Sequence, residues 1–325
     1  MIMKQHTFLL IILAVVTGIM TSHAQPLTNK NSTPEDRAIR LNGDTVSLRF
    51  TVYKYFPFLD ATINGVKGKL LFDTGAGKAF EFDDRLVPVE NGKVTGGGFV
   101  GSGQKFEVSQ YDTIRYLSLD NGRLSFVNAG PIGGHDFSYM NTITSDILGL
   151  VGYDFFKGYL FKLDYSTGMI TFYKHTTERL QNKDFLKNEK VIAILDFETR
   201  KLPNHPVIRM ISQKDTLAIT FDTGQLGSLA LTDELKKKWT NKGSIISQGV
   251  DEDGDELVEV RSFELPGLVD PVTFKTFLNS AELDSPVNKA IGISEPNTLT
   301  FGYSFLTQYK TVWDYENRKI YLLEQ

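Results

Sequence analysis

The chain is expected to be all-β, with few short helices, and to consist of two related halves. Three observations lead there. Apolar and polar residues alternate along most of the chain, beginning with Val46, Leu48, Phe50 and Val52, at the two-residue period of half-buried strands. The phrase Phe-Asp-Thr-Gly occurs twice, at 72–75 and 221–224, a shift of 149 residues. A long block, GYSFLTQYKTVWDYENRKIYL at 302–322, answers GYDFFKGYLFKLDYSTGMITF at 152–172 at a shift of 150. A shift this steady over two anchors implies duplication of one unit of about 130 residues.

Residues 1–24 read as an export signal. Lys4 is the positive start, Phe8 to Met20 the apolar run, and Ser22 and Ala24 the small residues before a cut at Gln25. That run is short for a membrane span, which needs about 20 apolar residues. An exported protein, periplasmic or secreted, with no membrane span after signal cleavage is therefore expected. Residues 25–43, with Pro26, Asn29, Asn31 and Pro34, read as a flexible lead-in.

The first half is placed at 44–175. Ala61 to Ile63 runs into Asn64-Gly65, a strong hairpin signal, and the returning strand delivers Asp73. Phe80 and Phe82 alternate again, and 83–86 forms a turn or short helix. The stretch 95–103, TGGGFVGSG, contains a formal GxGxxG at Gly96, Gly98 and Gly101. A dinucleotide loop needs a helix next, and 105–108 reads as a strand, so a hairpin tip is the better account. Asp120-Asn121-Gly122 turns a further hairpin, and Tyr153 to Phe156 makes a helical turn at most.

Residues 176–190, charged and polar, read as a linker to the second half at 191–325. There Pro206 answers Pro57, and Leu229 and Leu231 answer Phe80 and Phe82. Thr232 to Trp239 is the best helix candidate, with Thr232 as N-cap. The acidic run 251–256 lacks the glycine position and distal glutamate of an EF-hand and reads as a hairpin turn.

Composition excludes several kinds of chemistry. Among 325 residues there is no cysteine, hence no disulfide, thiolate metal site or cysteine nucleophile. The five histidines, at 6, 23, 135, 175 and 205, match no metal-ligand spacing, and GxSxG is absent. No metal or cofactor is expected. The formal charge is a mild −4 without a basic block, which argues against nucleic acid as a partner.

One Asp-Thr-Gly is ordinary turn chemistry, since aspartate favours turns and glycine allows positive φ. Two in a duplicated chain can meet across a pseudo-twofold relation. Asp73 and Asp222 would then share a proton and titrate as a pair, a behaviour for which aspartic-protease dyads are the standard example. One carboxylate takes a proton from water while the other carboxyl donates to a carbonyl, which suits amide hydrolysis without a covalent intermediate.

On these residues the chain resembles the bilobal aspartic proteases over nearly its whole length beyond the signal. FDTGAG pairs with FDTGQL, and Leu150-Val151-Gly152 pairs with Thr300-Phe301-Gly302. The second half ends much like a pepsin-like lobe, and the first looks closer to a retropepsin-like one. The resemblance implies two acid-protease lobes with a cleft between them and Asp73 and Asp222 as the catalytic pair. It implies that Thr74 and Thr223 bond across the interface, that Gly75 and Gly224 let the loops pack closely, and that a hairpin carrying Gly97, Gly98 and Phe99 covers the substrate. The function implied is an exported aspartic endopeptidase acting on a peptide or protein substrate, complete as a monomer. Two other readings stand beside it: a peptide-binding protein on the same fold without turnover, and a structural β protein in which both motifs are only turns. Ala76 and Gln225 stand where the pepsin-like pattern has a small hydroxyl residue. Neither carboxylate is therefore expected to receive an extra side-chain hydrogen bond, which would place the working pH above that of an acid protease.

Overall fold

The computed structural model describes residues 37–325 apart from 100–104, 213–214, 252–253 and 282–284. The expected signal at 1–24 lies outside the described residues, as do Gly101 and the tip of the glycine-rich hairpin.

The molecule is mainly β, in two lobes built on three sheets. The first-lobe sheet has ten strands. Its middle runs Ile132–His135, Phe80–Asp83, Ile147–Val151, Val66–Phe72, Phe56–Ile63. The second-lobe sheet has seven, with Asp215–Phe221, Asn297–Phe301 and Gly227–Leu231 adjacent. The two halves use one plan. Val66–Phe72 pairs in parallel with Ile147–Val151, Phe72 facing Val151, as Asp215–Phe221 pairs in parallel with Asn297–Phe301, Phe221 facing Phe301. Each lobe also carries a hairpin on the same side of the plan: Lys93–Phe99 with Lys105–Tyr111, and Ile245–Val250 with Glu256–Phe263.

A third sheet of six strands joins the lobes. Three come from each half, in the order Thr45–Arg49, Met169–Lys174, Tyr159–Asp164, Lys310–Asp314, Lys319–Leu323, Val191–Asp196. At the junction Phe161 pairs with Trp313 and Leu163 with Thr311. The rings of Phe161 and Trp313 stack at 5.3 Å, and Trp313 meets Phe221 at 5.9 Å. The repeated block of the sequence is thus the seam, and the aromatic residues beneath each Asp-Thr-Gly turn belong to one continuous core.

Helices are few and short. The longest among the described residues, Asp233–Asn241, starts where expected: Thr232 Oγ1 accepts from the Leu235 amide at 3.4 Å. Two further regions differ from the sequence reading. From Arg37 onward the expected lead-in is docked, with Ile39 and Leu41 buried and the Leu41 amide donating to Phe155 O at 3.0 Å. Two apolar residues in a polar stretch are enough to anchor it. The expected linker also carries a helix, Thr177–Asn182, and buries Phe185 against Leu160, Val312 and Tyr321 of the joining sheet.

Candidate active site

Each Asp-Thr-Gly turn hangs between two strand ends. The Asp73 amide donates to Val151 O and the Asp222 amide to Phe301 O, both at 2.9 Å. Beyond the turns, Tyr153 N donates to Ala76 O and Tyr303 N to Gln225 O, both at 2.8 Å. These bonds require the chain after each turn to pass very close to Gly152 and Gly302. A Cβ on Gly152 would sit 2.5 Å from Ala76 O, and one on Gly302 would sit 2.2 Å from Gln225 O. Thr300, the polar member of the second apolar pair, is accommodated by a 2.8 Å hydrogen bond between its hydroxyl and that of Thr220.

The two turns meet. The Thr74 amide donates to Thr223 Oγ1 at 3.0 Å, and the Thr223 amide donates to Thr74 Oγ1 at 3.1 Å. Thr223 Oγ1 in turn donates to Phe72 O at 2.8 Å. Both threonines are fully buried. Gly75 and Gly224 do not adopt the left-handed conformation that turn chemistry suggests. Their requirement is space: a Cβ on Gly75 would lie 2.7 Å from Asp222 Oδ2, and one on Gly224 would lie 2.8 Å from Asp73 Cγ. Each glycine thus lets the opposite carboxyl come close. Replacing Thr223 with Val, of nearly the same shape, deletes two hydrogen bonds and leaves the buried Thr74 amide unpaired. The expected cost is about 2–4 kcal/mol, read as a lowered urea midpoint; an unchanged midpoint would show that the cross-bonds carry no net stability.

Asp73 is 0% exposed and Asp222 3%. Asp73 Oδ1 accepts from the amides of Gly75 at 2.7 Å and Ala76 at 3.1 Å, and the Asp73 and Asp222 carboxyls lie close enough to hydrogen-bond to each other. Asp222 Oδ1 accepts from the Gly224 amide at 2.8 Å. Burial pushes the Asp73 carboxyl well above the usual range, and the neighbouring Asp222 charge pushes the same way. Burial raises Asp222 as well, but the Gly224 amide and the Gln225 side chain hold it back. The pair favours one shared proton, resting on Asp73, with Asp222 the carboxylate that ionises first.

Gln225 corrects one expectation. Its Nε2 donates to Asp222 Oδ2 at 3.0 Å, so the second carboxylate does receive a side-chain hydrogen bond, from an amide in place of a hydroxyl. The premise for a raised working pH therefore holds only at Asp73.

Residues without a motif complete the surroundings. Asn204 Nδ2 donates to Thr74 O at 3.2 Å and Gly75 O at 2.7 Å, holding the first turn from the second half. His205 is buried, its imidazole driven down to about 4 by desolvation, with the Gly75 backbone pulling weakly the other way. Tyr165 and Tyr315 both lie within electrostatic reach of Asp222 and are held un-ionised by burial. Tyr165 packs edge-on against Tyr303 at 5.4 Å and Tyr315 against Tyr153 at 5.1 Å, two contacts exchanged by the pseudo-twofold relation. The 150-residue repeat marks all four tyrosines; nothing in the sequence singles out Asn204 or His205.

Of the expected covering residues, Gly97 and Gly98 lie in Lys93–Phe99, paired with Glu107 and Phe106, and Phe99 pairs with Lys105 at the end of the described ladder. A strand, not a helix, follows, as a hairpin requires. A Cβ on Gly98 would meet the Phe106 ring at 2.4 Å, so the glycines here let that ring lie under the hairpin. Tyr111 stands at the base of its strand and donates to Asp84 Oδ2 at 3.1 Å. Among the described residues no helix is long and apolar enough to cross a membrane, and no group of acidic and histidine side chains could hold a metal.

No family model matches the chain, and no curated protein matches it. Among solved structures it is similar to Basic 7S globulin from soybean, with 9% identity, a TM-score of 0.49, and coverage of 86% of this chain and 95% of that one. These findings overturn the family resemblance drawn from the motifs: no family model matches the chain, and the likeness to the globulin is too low to assign kinship. The site stands on its own geometry.

Proposed function

We propose that this chain is an exported endopeptidase of aspartic type, in which Asp222 takes a proton from water while Asp73 donates one to the scissile carbonyl. The observation that carries the reading is the reciprocal bonding of Thr74 and Thr223, which holds two buried carboxyls from the two halves against each other. Both aspartates come from one chain, so a monomer suffices. The test is digestion of denatured casein by the chain from Gln25 onward across a pH series, beside Asp73→Asn and Asp222→Asn. Hydrolysis lost in both variants supports the dyad; hydrolysis kept in both sinks it.

The closure of the dyad, with Asp73 wholly shielded from solvent, favours a second reading: peptide binding without turnover. Absence of hydrolysis at every pH, together with peptide capture by the folded protein, would select it.

Gln225 gives a finer test. Its amide favours ionised Asp222, so Gln225→Leu should move the acid limb of the pH–rate profile upward by about one pH unit. An unmoved limb would remove Gln225 from the titration of the pair.

A further inference from the structure

The second lobe holds a cavity of about 690 Å³, lined by no residue of either Asp-Thr-Gly turn. Its floor is the lobe's own sheet. Met210 and Leu217, cross-strand neighbours on Val207–Ser212 and Asp215–Phe221, both line it. One wall is the helix Asp233–Asn241. Leu235, Lys238, Trp239 and its C-cap Lys242 line the cavity, at the three- and four-residue spacing of a single helical face. The opposite wall is the end of Glu256–Phe263 with the loop 264–271 that follows. Gly267, left-handed at φ 91°, seats that loop on the joining sheet: a Cβ there would lie 3.0 Å from Ile194 O.

An irregular strand shapes the mouth. The ladder shifts register between Val260 and Phe263, with Ser262 at φ 51°. Three residues apart, Val260 and Phe263 would face opposite sides of a regular strand. The bulge turns both inward, where each is buried, and leaves Arg261 and Ser262 exposed side by side. All four line the cavity. The Arg261 amide donates to Ser244 O at 2.8 Å and the Ser244 amide to Trp239 O at 2.9 Å, which ties Arg261 to the end of the helix that carries Lys242. Among the described lining residues the bases Lys238, Lys242 and Arg261 stand against one acid, Glu264. Arg261 also pairs with Glu259. The cavity is therefore apolar within and basic at one end. Apolar walls left to water are a cost that an apolar ligand removes, and the volume lies in the ordinary range for small-molecule sites, about 300–1,000 Å³.

We propose that this cavity binds an alkyl carboxylate of the fatty-acid type. The tail lies against Met210, Leu217, Trp239 and Phe263, and Lys242 and Arg261 hold the head group. The inference does not depend on whether the two turns hydrolyse peptides.

The test is calorimetric titration of the chain from Gln25 onward with decanoate, below its micellar concentration, beside decanol and decyltrimethylammonium. One equivalent of decanoate should bind, at least about tenfold more tightly than either of the others, the worth of one charge-assisted hydrogen bond. Lys242 and Arg261 are exposed, so Lys242→Gln with Arg261→Gln spares the fold. That double variant should bring decanoate down to the affinity of decanol and leave decanol unchanged. Decanoate should also shift tryptophan emission, and the shift should vanish in Trp239→Phe, since the other tryptophan, Trp313, is fully buried in the seam. No saturable binding of decanoate, equal binding of anion and cation, or a decanoate affinity unmoved by the double variant overturns the site. Equal losses for decanoate and decanol overturn it too, because the bases would then be part of the wall and not the seat of the head group. An emission shift that survives Trp239→Phe places the ligand elsewhere and has the same force.

Discussion

Asp73→Asn and Asp222→Asn are each expected to lower casein hydrolysis by at least about a thousandfold while leaving the protein folded. The rate loss follows from the division of labour: asparagine at 222 cannot accept a proton from water, and asparagine at 73 cannot hand one over as a carboxylic acid. The stability should move the opposite way. Each carboxyl is buried and has its pKa raised in the fold. Above the ordinary value of 3.8 the unfolded chain releases these protons before the native one does, so native stability falls as pH rises. An amide has no such proton to lose. Both variants should therefore unfold at higher urea than the wild type at pH 7 and lose that advantage near pH 3. Inactivity with a raised midpoint identifies a dyad; inactivity with a collapsed midpoint identifies only a damaged core; retained hydrolysis refutes the assignment.

Glu81→Gln should stabilise the protein by about 3 kcal/mol at pH 8 and by almost nothing at pH 4. Here the window is bounded on both sides. The carboxyl titrates at 4.5 when unfolded and at about 7 when buried in the fold. Between those values the native state holds a proton that the unfolded state has released. Wild-type stability therefore declines across the window, by about 1.4 kcal/mol for each step of one in pH. Below the window both states are protonated and glutamine is a near match for the neutral acid. Urea unfolding of the two proteins at pH 4, 6 and 8 measures it. Parallel curves at all three would mean that Glu81 finds a partner when it ionises.

The meeting of the two turns was legible because the motif is written twice. One Asp-Thr-Gly is a turn, whereas the matched spacing of Asp73 and Asp222, with Gly152 and Gly302 behind them, carries a twofold relation from which the encounter follows. Local signals were legible too, such as Thr232 before its helix. The joining sheet was not, because pairing of Phe161 with Trp313 is a contact between halves that no local pattern encodes. Gln225 misled by type: a long amide reached the carboxylate where a short hydroxyl was sought. Glu81 was hidden by its alternation with Phe80 and Phe82, which makes it look like the wet side of a strand, although a second apolar cluster buries that side as well.

The joining sheet also sets a schedule for manufacture. Lys319–Leu323 is an inner strand, flanked by Lys310–Asp314 and Val191–Asp196, and it buries Ile320, Leu322 and Leu323. The outer strands of the first half can zip early, but the seam at Phe161 waits for Trp313, far downstream in the chain. Contacts this distant in sequence close slowly. The floor beneath both turns therefore forms only once Lys310–Asp314 and Lys319–Leu323 have joined the sheet. Up to that moment the two Asp-Thr-Gly turns have no common base to hold them together.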